Sequence, residues 1–269
     1  MGVQFYIPCE RPLNDVVKCF WQSIRENTNF RQETIIPKGV VEMVFNFLPE
    51  TTFHGLLYNK KYFMPKCFIQ GYHNSKIELN LPEKQSLFGI VLQTTATKQI
   101  LHVPAGKLAR QCIDLTLIDN TFCSLWHQLA EKKMFQDRIT IFSNWLTKRI
   151  TCLTAREQIL NNLFSLNTKN NFSISNLSEW LCYSPRHLSR VFYEQTGMNT
   201  EQTLLYLKYL KSLQLIHYSD LSLTQIAYVC GFSDQSHFIK TFKLFTSLTP
   251  KEYQHHKSNL MGHYFKHVR

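Results

Sequence analysis

Along the first 95 residues, apolar and polar positions alternate with the period of strands. Lys76-Ile77-Glu78-Leu79-Asn80-Leu81 does so without a fault, as a half-buried strand requires. Over 40–47, Val41, Met43, Phe45 and Phe47 share one face, Glu42 and Asn46 take the other, and Pro37-Lys38-Gly39 supplies a turn ahead. Residues 67–72 and 87–94 are further strand candidates, whereas 16–21 have mixed periodicity and yield no assignment. From about Thr97 the apolar spacing becomes helical, over 120–132, 136–150 (Ile139, Phe142, Leu146, Ile150) and 154–166 (Ile159, Leu160, Leu163, Phe164). Residues 167–171 are polar and aperiodic and mark a predicted junction between two domains, 1–166 and 167–269.

Beyond that junction the chain reads as short helices with clear start signals. Ser173 precedes one, and Ser184-Pro185 places a capping hydroxyl before a proline at the first helical position. Asn199-x-x-Gln202, Ser222-x-x-Gln225 and Thr249-x-x-Glu252 are capping-box patterns. Gly197 and Gly231 follow helices, where a left-handed residue is often required. The region also repeats itself. Leu177-Ser178-Glu179-Trp180-Leu181-Cys182-Tyr183-Ser184 aligns with Ile226-Ala227-Tyr228-Val229-Cys230-Gly231-Phe232-Ser233. After a slip of one residue, Leu188-Ser189-Arg190-Val191-Phe192 aligns with Phe238-Ile239-Lys240-Thr241-Phe242. Each unit is a short helix, a tight turn and a second helix, the anatomy of a helix-turn-helix. Between them, Leu205, Tyr209, Leu213 and Ile216 form one stripe on a predicted helix over 201–218, a rod of ~27 Å. That length suits two readers set one DNA turn apart, ~34 Å.

Charge agrees with this reading. The 269 residues carry a net charge of +11, and residues 167–269 hold 11 basic and 6 acidic side chains and seven of the eleven histidines. A polyanionic partner follows. Arg186, Ser189, Arg190 and Tyr193 avoid the Leu188/Phe192 face of the first reader; Gln235, Ser236, His237, Ile239, Lys240 and Lys243 avoid the Phe238/Phe242 face of the second. Arginine can pair bidentately with guanine and glutamine with adenine, while Lys243 suits a phosphate.

These residues resemble the double helix-turn-helix domain of AraC/XylS-type bacterial transcriptional regulators. The resemblance is carried by Ser184-Pro185-Arg186-His187-Leu188-Ser189-Arg190-Val191-Phe192 and Gly197, then Ile226-Ala227, Gly231-Phe232-Ser233-Asp234-Gln235-Ser236-His237-Phe238, Phe242-Lys243 and Thr249-Pro250-x-x-Tyr253. Ser178 and Ser212 stand where the family usually has alanine, and Lys240 where it has arginine, which removes a bidentate fork. Pro12-Leu13, Phe20-Trp21, Ile36-Pro37-x-Gly39-x-x-Glu42-x-x-Phe45-Asn46, Gly71 and Val103-Pro104-Ala105 are similar to a regulatory domain found ahead of this module. The resemblance implies an activator that binds double-stranded DNA near promoters and works with RNA polymerase. It also implies an N-terminal domain that senses a small-molecule effector or pairs subunits as a homodimer, often as a cupin-like barrel.

The remaining residues add no chemistry. His54, His73 and His102 are isolated, His255-His256, His263 and His267 sit in a tail with no scaffold, and no metal or cofactor is expected. Glu42 reads as facing solvent, and Trp21, Phe45, Phe47, Phe68, Tyr72 and Phe88 as core. No nucleophile, P-loop or dinucleotide motif occurs. An alternative is a DNA alkylation-repair acceptor fused to this module, which needs an activated cysteine. Cys9, Cys19, Cys67 and Cys112 lack the grouping for one, and Cys182 and Cys230 are expected to be buried and structural. A nucleoid protein would show weak sequence preference, whereas two spaced readers favour specific sites. The start lacks a signal-peptide pattern and no run of ~18 apolar residues exists, so a cytoplasmic protein without a membrane span is expected. The expectation is an α+β protein: strands over about 1–95, helices over about 97–166, then an all-α reading domain, and no enzyme.

Overall fold

The computed structural model describes residues 3–26, 32–49, 53–164 and 174–266. Ten strands lie in the first 114 residues: β1 (Val3–Tyr6), β2 (Val17–Arg25), β3 (Gln32–Ile35), β4 (Val41–Asn46), β5 (His54–Leu57), β6 (Lys60–Phe63), β7 (Cys67–Gln70), β8 (Ile77–Asn80), β9 (Gln85–Leu92) and β10 (Cys112–Asp114). Helices α1 (Leu13–Val16), α2 (Ala96–Leu101) and α3 (Ala105–Leu108) interrupt or follow them. Next come α4 (Thr121–Ala130), α5 (Phe135–Thr147), α6 (Ala155–Leu163), α7 (Ile174–Leu181), α8 (Pro185–Thr196), α9 (Thr200–Tyr218), α10 (Leu223–Val229), α11 (Gln235–Thr246) and α12 (Pro250–His256), and a last strand β11 (His263–Lys266).

The strands form two antiparallel sheets with free edges rather than a closed barrel. One runs β1-β2-β9-β4-β7-β10 and the other β11-β3-β8-β5-β6. On the first sheet, Phe20, Phe45 and Phe88 pack edge-on against Phe142 of α5, with ring centroids 5.9 to 6.4 Å apart. Helices therefore cover one face and the second sheet lies toward the other. Both faces of β4 are consequently covered: Val44 and Asn46 are as buried as Met43 and Phe45. Glu42, expected in solvent, is instead half-buried and accepts a hydrogen bond from Trp21 Nε1 at 2.5 Å. The mixed periodicity over 16–21 has a simple cause, since α1 hands over to β2 at Val17.

The two halves share one apolar core, continuous from Phe20 and Phe142 to Tyr209, Phe242 and Tyr253. Three features join them. Residues of α9 reach into the strand-rich half: the Tyr206 hydroxyl donates to the His73 carbonyl at 2.9 Å and accepts from the Gly39 amide at 3.1 Å, and the Tyr209 hydroxyl donates to the Pro37 carbonyl at 2.9 Å. The predicted stripe on α9 is thus only part of its buried surface, which includes Thr203, Tyr206, Leu210 and Ser212. Second, β11 pairs with β3 in register from His263↔Ile35 to Lys266↔Gln32. His263, which the sequence left in an unstructured tail, donates from Nδ1 to Glu33 Oε1 at 2.6 Å, and its Nε2 accepts from Lys38 at 2.9 Å. Burial and the neighbouring Lys38 charge hold His263 below the usual histidine range; burial opposes Glu33 ionisation, but the His263 hydrogen bond and nearby cations hold it below its usual value too.

The third feature is α3 against the end of α8. A Cβ on Gly106 would lie 2.0 Å from the Tyr193 carbonyl oxygen and 2.9 Å from that of Glu194. Both neighbours are backbone and cannot swing away. Gly106→Ala is therefore expected to destabilise the fold by about 1–3 kcal/mol, read by urea denaturation; a change under half a kcal/mol would mean that α3 does not hold α8 this closely. The predicted junction over 167–171, like Ser173 and His267, lies outside the described residues. Before it, α6 turns Leu160, Leu163 and Phe164 into a cluster with Leu177, Leu181, Leu188, Val191 and Phe192 of α7 and α8.

Candidate nucleic-acid interface

Local chemistry explains where α8 and α11 begin and end. Ser184 Oγ accepts the His187 amide at the start of α8, with Pro185 in the first turn, and Gly197 closes the helix in a left-handed conformation at φ +72°. Asp234 does the same for α11, accepting the His237 amide at 2.7 Å; that hydrogen bond holds its carboxyl below the usual range. The predicted capping boxes form at Asn199/Gln202, Ser222/Gln225 and Thr249/Glu252. A fourth, Thr154/Glu157 at the start of α6, was equally visible in the sequence.

Leu188, Phe192, Phe238 and Phe242 are fully buried and anchor α8 and α11. The opposite faces are open. Arg186, Arg190 and Tyr193 on α8, and Gln235, Ser236, Lys240 and Lys243 on α11, are exposed; Ser189, His237 and Ile239 are half-buried. On α8, Arg190 Nη2 lies 3.2 Å from His187 Nδ1. His237 is partly engaged, with Nδ1 3.1 Å from Ser233 Oγ and its ring edge-on to Phe232 at 5.5 Å. Thr224 donates to Gln235 Oε1 at 3.4 Å. Among the described residues, no three His, Cys, Asp or Glu side chains stand together as a metal site, and no helix is long and apolar enough to cross a membrane.

One expectation about this region is corrected. Cys230 is buried, but Cys182 is exposed and takes a left-handed conformation at φ +52°. The two cysteines are not equivalent: at the repeat spacing Cys182 falls on Gly231, which has φ +71°. The first unit ends its helix with a cysteine where the second uses glycine, and that position points out of the core.

Residues 177–256 match the family model described as a helix-turn-helix domain, and residues 4–114 match a domain of unknown function (DUF6597). An uncharacterised HTH-type transcriptional regulator of Staphylococcus aureus (strain MSSA476) is 38% identical over 82 residues, 30% of this chain and 11% of that protein. The HTH-type transcriptional activator RhaS of Escherichia coli (strain SE11) is 36% identical over 76 residues, 28% of this chain and 27% of that protein. The chain thus spans about a tenth to a quarter of the length of these relatives. Over nearly the whole chain the fold is similar to ToxT of Vibrio cholerae. An apo variant gives a TM-score of 0.50 at 14% identity, covering 88% of this chain and 97% of that one. ToxT bound to (E)-4-(8-methylnaphthalen-1-yl)but-3-enoic acid gives 0.51 at 15% identity, covering 88% and 98%. At such identity the likeness concerns architecture: two sheets and helices followed by paired helix-turn-helix units. Two capped helix pairs flank α9 within the segment that the helix-turn-helix model matches, so residues 177–256 form a helix-turn-helix domain similar to those of HTH-type transcriptional regulators.

Proposed function

We propose that the protein is a sequence-specific transcriptional activator that reads two successive major grooves, one with α8 and one with α11. The observation that carries this reading is the pair of open polar faces set on either side of α9, whose 19 residues span about 28 Å. In this reading Arg186 and Arg190 contact guanines, Gln235 an adenine, and Ser189, Tyr193, Ser236, Ile239 and Lys240 adjoining base edges, while Lys243 meets a phosphate. His237 serves the turn as much as the DNA, because Ser233 and Phe232 already engage it. Residues 167–269 form the reading domain, and α6, at the end of the preceding part, packs on it through its cluster with α7 and α8. Residues 1–166 regulate, by small-molecule binding or by pairing of two copies; the half-buried Glu42 held by Trp21 between the sheets is the polar feature that favours an effector there. RNA polymerase in a bacterial cytoplasm completes the assignment, and the activator name of the RhaS relative supports its sign. The repair alternative gains nothing from four of the eight thiols. Burial pushes Cys19 and Cys230 up to about 11 and Cys67 and Cys112 up to about 12, away from a reactive thiolate.

The test is selection of bound sites from random DNA, followed by binding measurements on the selected site. Arg186→Ala and Arg190→Ala are each expected to lose about 1–3 kcal/mol on that site and to relax choice at one position. Lys243→Ala should weaken all sequences alike and reduce the salt slope by about 0.9. Equal losses on selected and random DNA would turn the two arginines into phosphate contacts. Enrichment of no sequence by the intact protein would overturn the reading itself.

A further inference from the structure

Two lysines of α9 were given no role by the sequence. In a domain that binds DNA, exposed lysines are ordinarily assigned to phosphates. Here their ammonium groups meet backbone carbonyls of the second unit instead. Lys208 Nζ donates to the Gly231 carbonyl at 2.6 Å, and Lys211 Nζ donates to the Val229 carbonyl at 3.1 Å. The Val229 carbonyl is the last of α10, where peptide groups lack intrahelical donors and the helix carries partial negative charge, and the Gly231 carbonyl follows in the turn. The same Lys208 ammonium stands 6.0 Å from the centroid of Phe232, the aromatic residue of the turn. Phe232 in turn meets His237 and Phe238 at the start of α11, at 5.5 and 5.2 Å.

The first unit has the same arrangement built from different residues. Tyr183 occupies the repeat position of Phe232. It lies 4.2 Å from His187 at the start of α8, and the Arg156 guanidinium of α6 stands 5.1 Å from its ring. In each unit the helix ahead supplies a cation, the turn an aromatic ring, and the reader a histidine. The direction in which a reader leaves its turn is then fixed by the helix ahead of it. For α11 that helix is the rod joining the two units.

We propose that Lys208, assisted by Lys211, is a positioning residue that sets the angle of α11 on α9, and thereby the half-site separation the protein accepts. This rests on the two-groove reading above and adds to it the determinant of spacing. The lysine touches no DNA; it acts through the Gly231 carbonyl and the Phe232 ring.

The experiment uses the full chain and the site it selects, with the two halves of that site moved one base pair closer, left alone, or moved one base pair apart. Lys208→Met keeps the apolar stem and removes the charge. It is expected to weaken binding at the native spacing about tenfold, to leave the salt slope unchanged, and to flatten the preference among the three spacings. Lys208→Arg should restore most of the preference, and Lys211→Met should act in the same direction more weakly. A salt slope lower by about 0.9 with spacing preference intact would make Lys208 a phosphate contact and overturn the proposal, as would wild-type behaviour of Lys208→Met. Amide exchange gives a readout without DNA: the 231–234 amides should exchange about tenfold faster in Lys208→Met than in wild type. Unchanged exchange overturns the proposal. Failure of the intact protein to select any site would strike the regulator reading alone, since the exchange result still decides whether Lys208 holds the turn.

Discussion

Replacing Tyr209 by alanine is expected to destabilise the protein by about 4 kcal/mol, the scale of a large aromatic lost from a packed core. The side chain is fully buried, meets Phe242 edge-on at 5.4 Å and Phe245 at a tilt at 4.8 Å, and donates its hydroxyl to the Pro37 carbonyl. Tyr209→Phe keeps the ring and removes only the donor, so about 1–3 kcal/mol is expected from the carbonyl left unpaired. Urea denaturation of both variants checks this, and a Tyr209→Ala loss below about 1.5 kcal/mol would mean that α9 does not tie the halves together here. The position has a second consequence. As a plain spacer, α9 broken by proline at 209 would leave two readers contacting DNA separately. Because Tyr209 packs on both halves at once, that proline should unfold the chain instead.

Acidification is expected to reveal His73. Burial lowers its pKa from 6.5 to about 4, and its Nδ1 donates to the Ser75 carbonyl at 2.7 Å while Nε2 has no hydrogen-bond partner among the described residues. The folded protein holds this imidazole neutral, whereas the unfolded chain takes up a proton below about 6.5. The unfolded state therefore binds more protons through this window, and stability falls as pH drops from 6.5 toward 4, by about 3 kcal/mol from this group. Glu33 and His263, both held below their usual values, add to the loss with the same sign. The comparison to make is wild type against His73→Gln, by urea midpoints across pH 7 to pH 4. The wild type should lose more stability than the variant over that window, and parallel curves would show that His73 titrates normally in the fold.

The reading half was legible because its signals are local. A capping box needs four consecutive residues and a left-handed cap only one, so Asn199/Gln202, Ser222/Gln225 and Gly197 could be read directly. The exposed faces of α8 and α11 followed from helical spacing around Leu188/Phe192 and Phe238/Phe242. The strand-rich half was legible where a strand is long or alternates cleanly, as at β4, β8 and β9, or forms a short apolar run, as at β7. Four-residue strands such as β1, β3, β5 and β6 are too short to show a period. Glu42 was misplaced because alternation assumes one wet face, and β4 has none. Lys208 was passed over because a cation's partner can be a carbonyl on another helix, which spacing does not reveal. The role of β11 was hidden most completely, since Glu33 and His263 are 230 positions apart.

That last pairing closes the chain into a ring. The reading helices leave the strand-rich half through the covalent link after α6 and return to it through four residue pairs between β11 and β3. A body held at β11 as well as at α9 and α3 cannot pivot about one of these contacts without releasing the others. Cutting the chain after Gly262 would remove the β11 attachment, and the contacts made by Tyr206, Tyr209 and α3 would then be held together by the covalent link alone. Their effective concentration would be set by the length of that link rather than by a closed circuit.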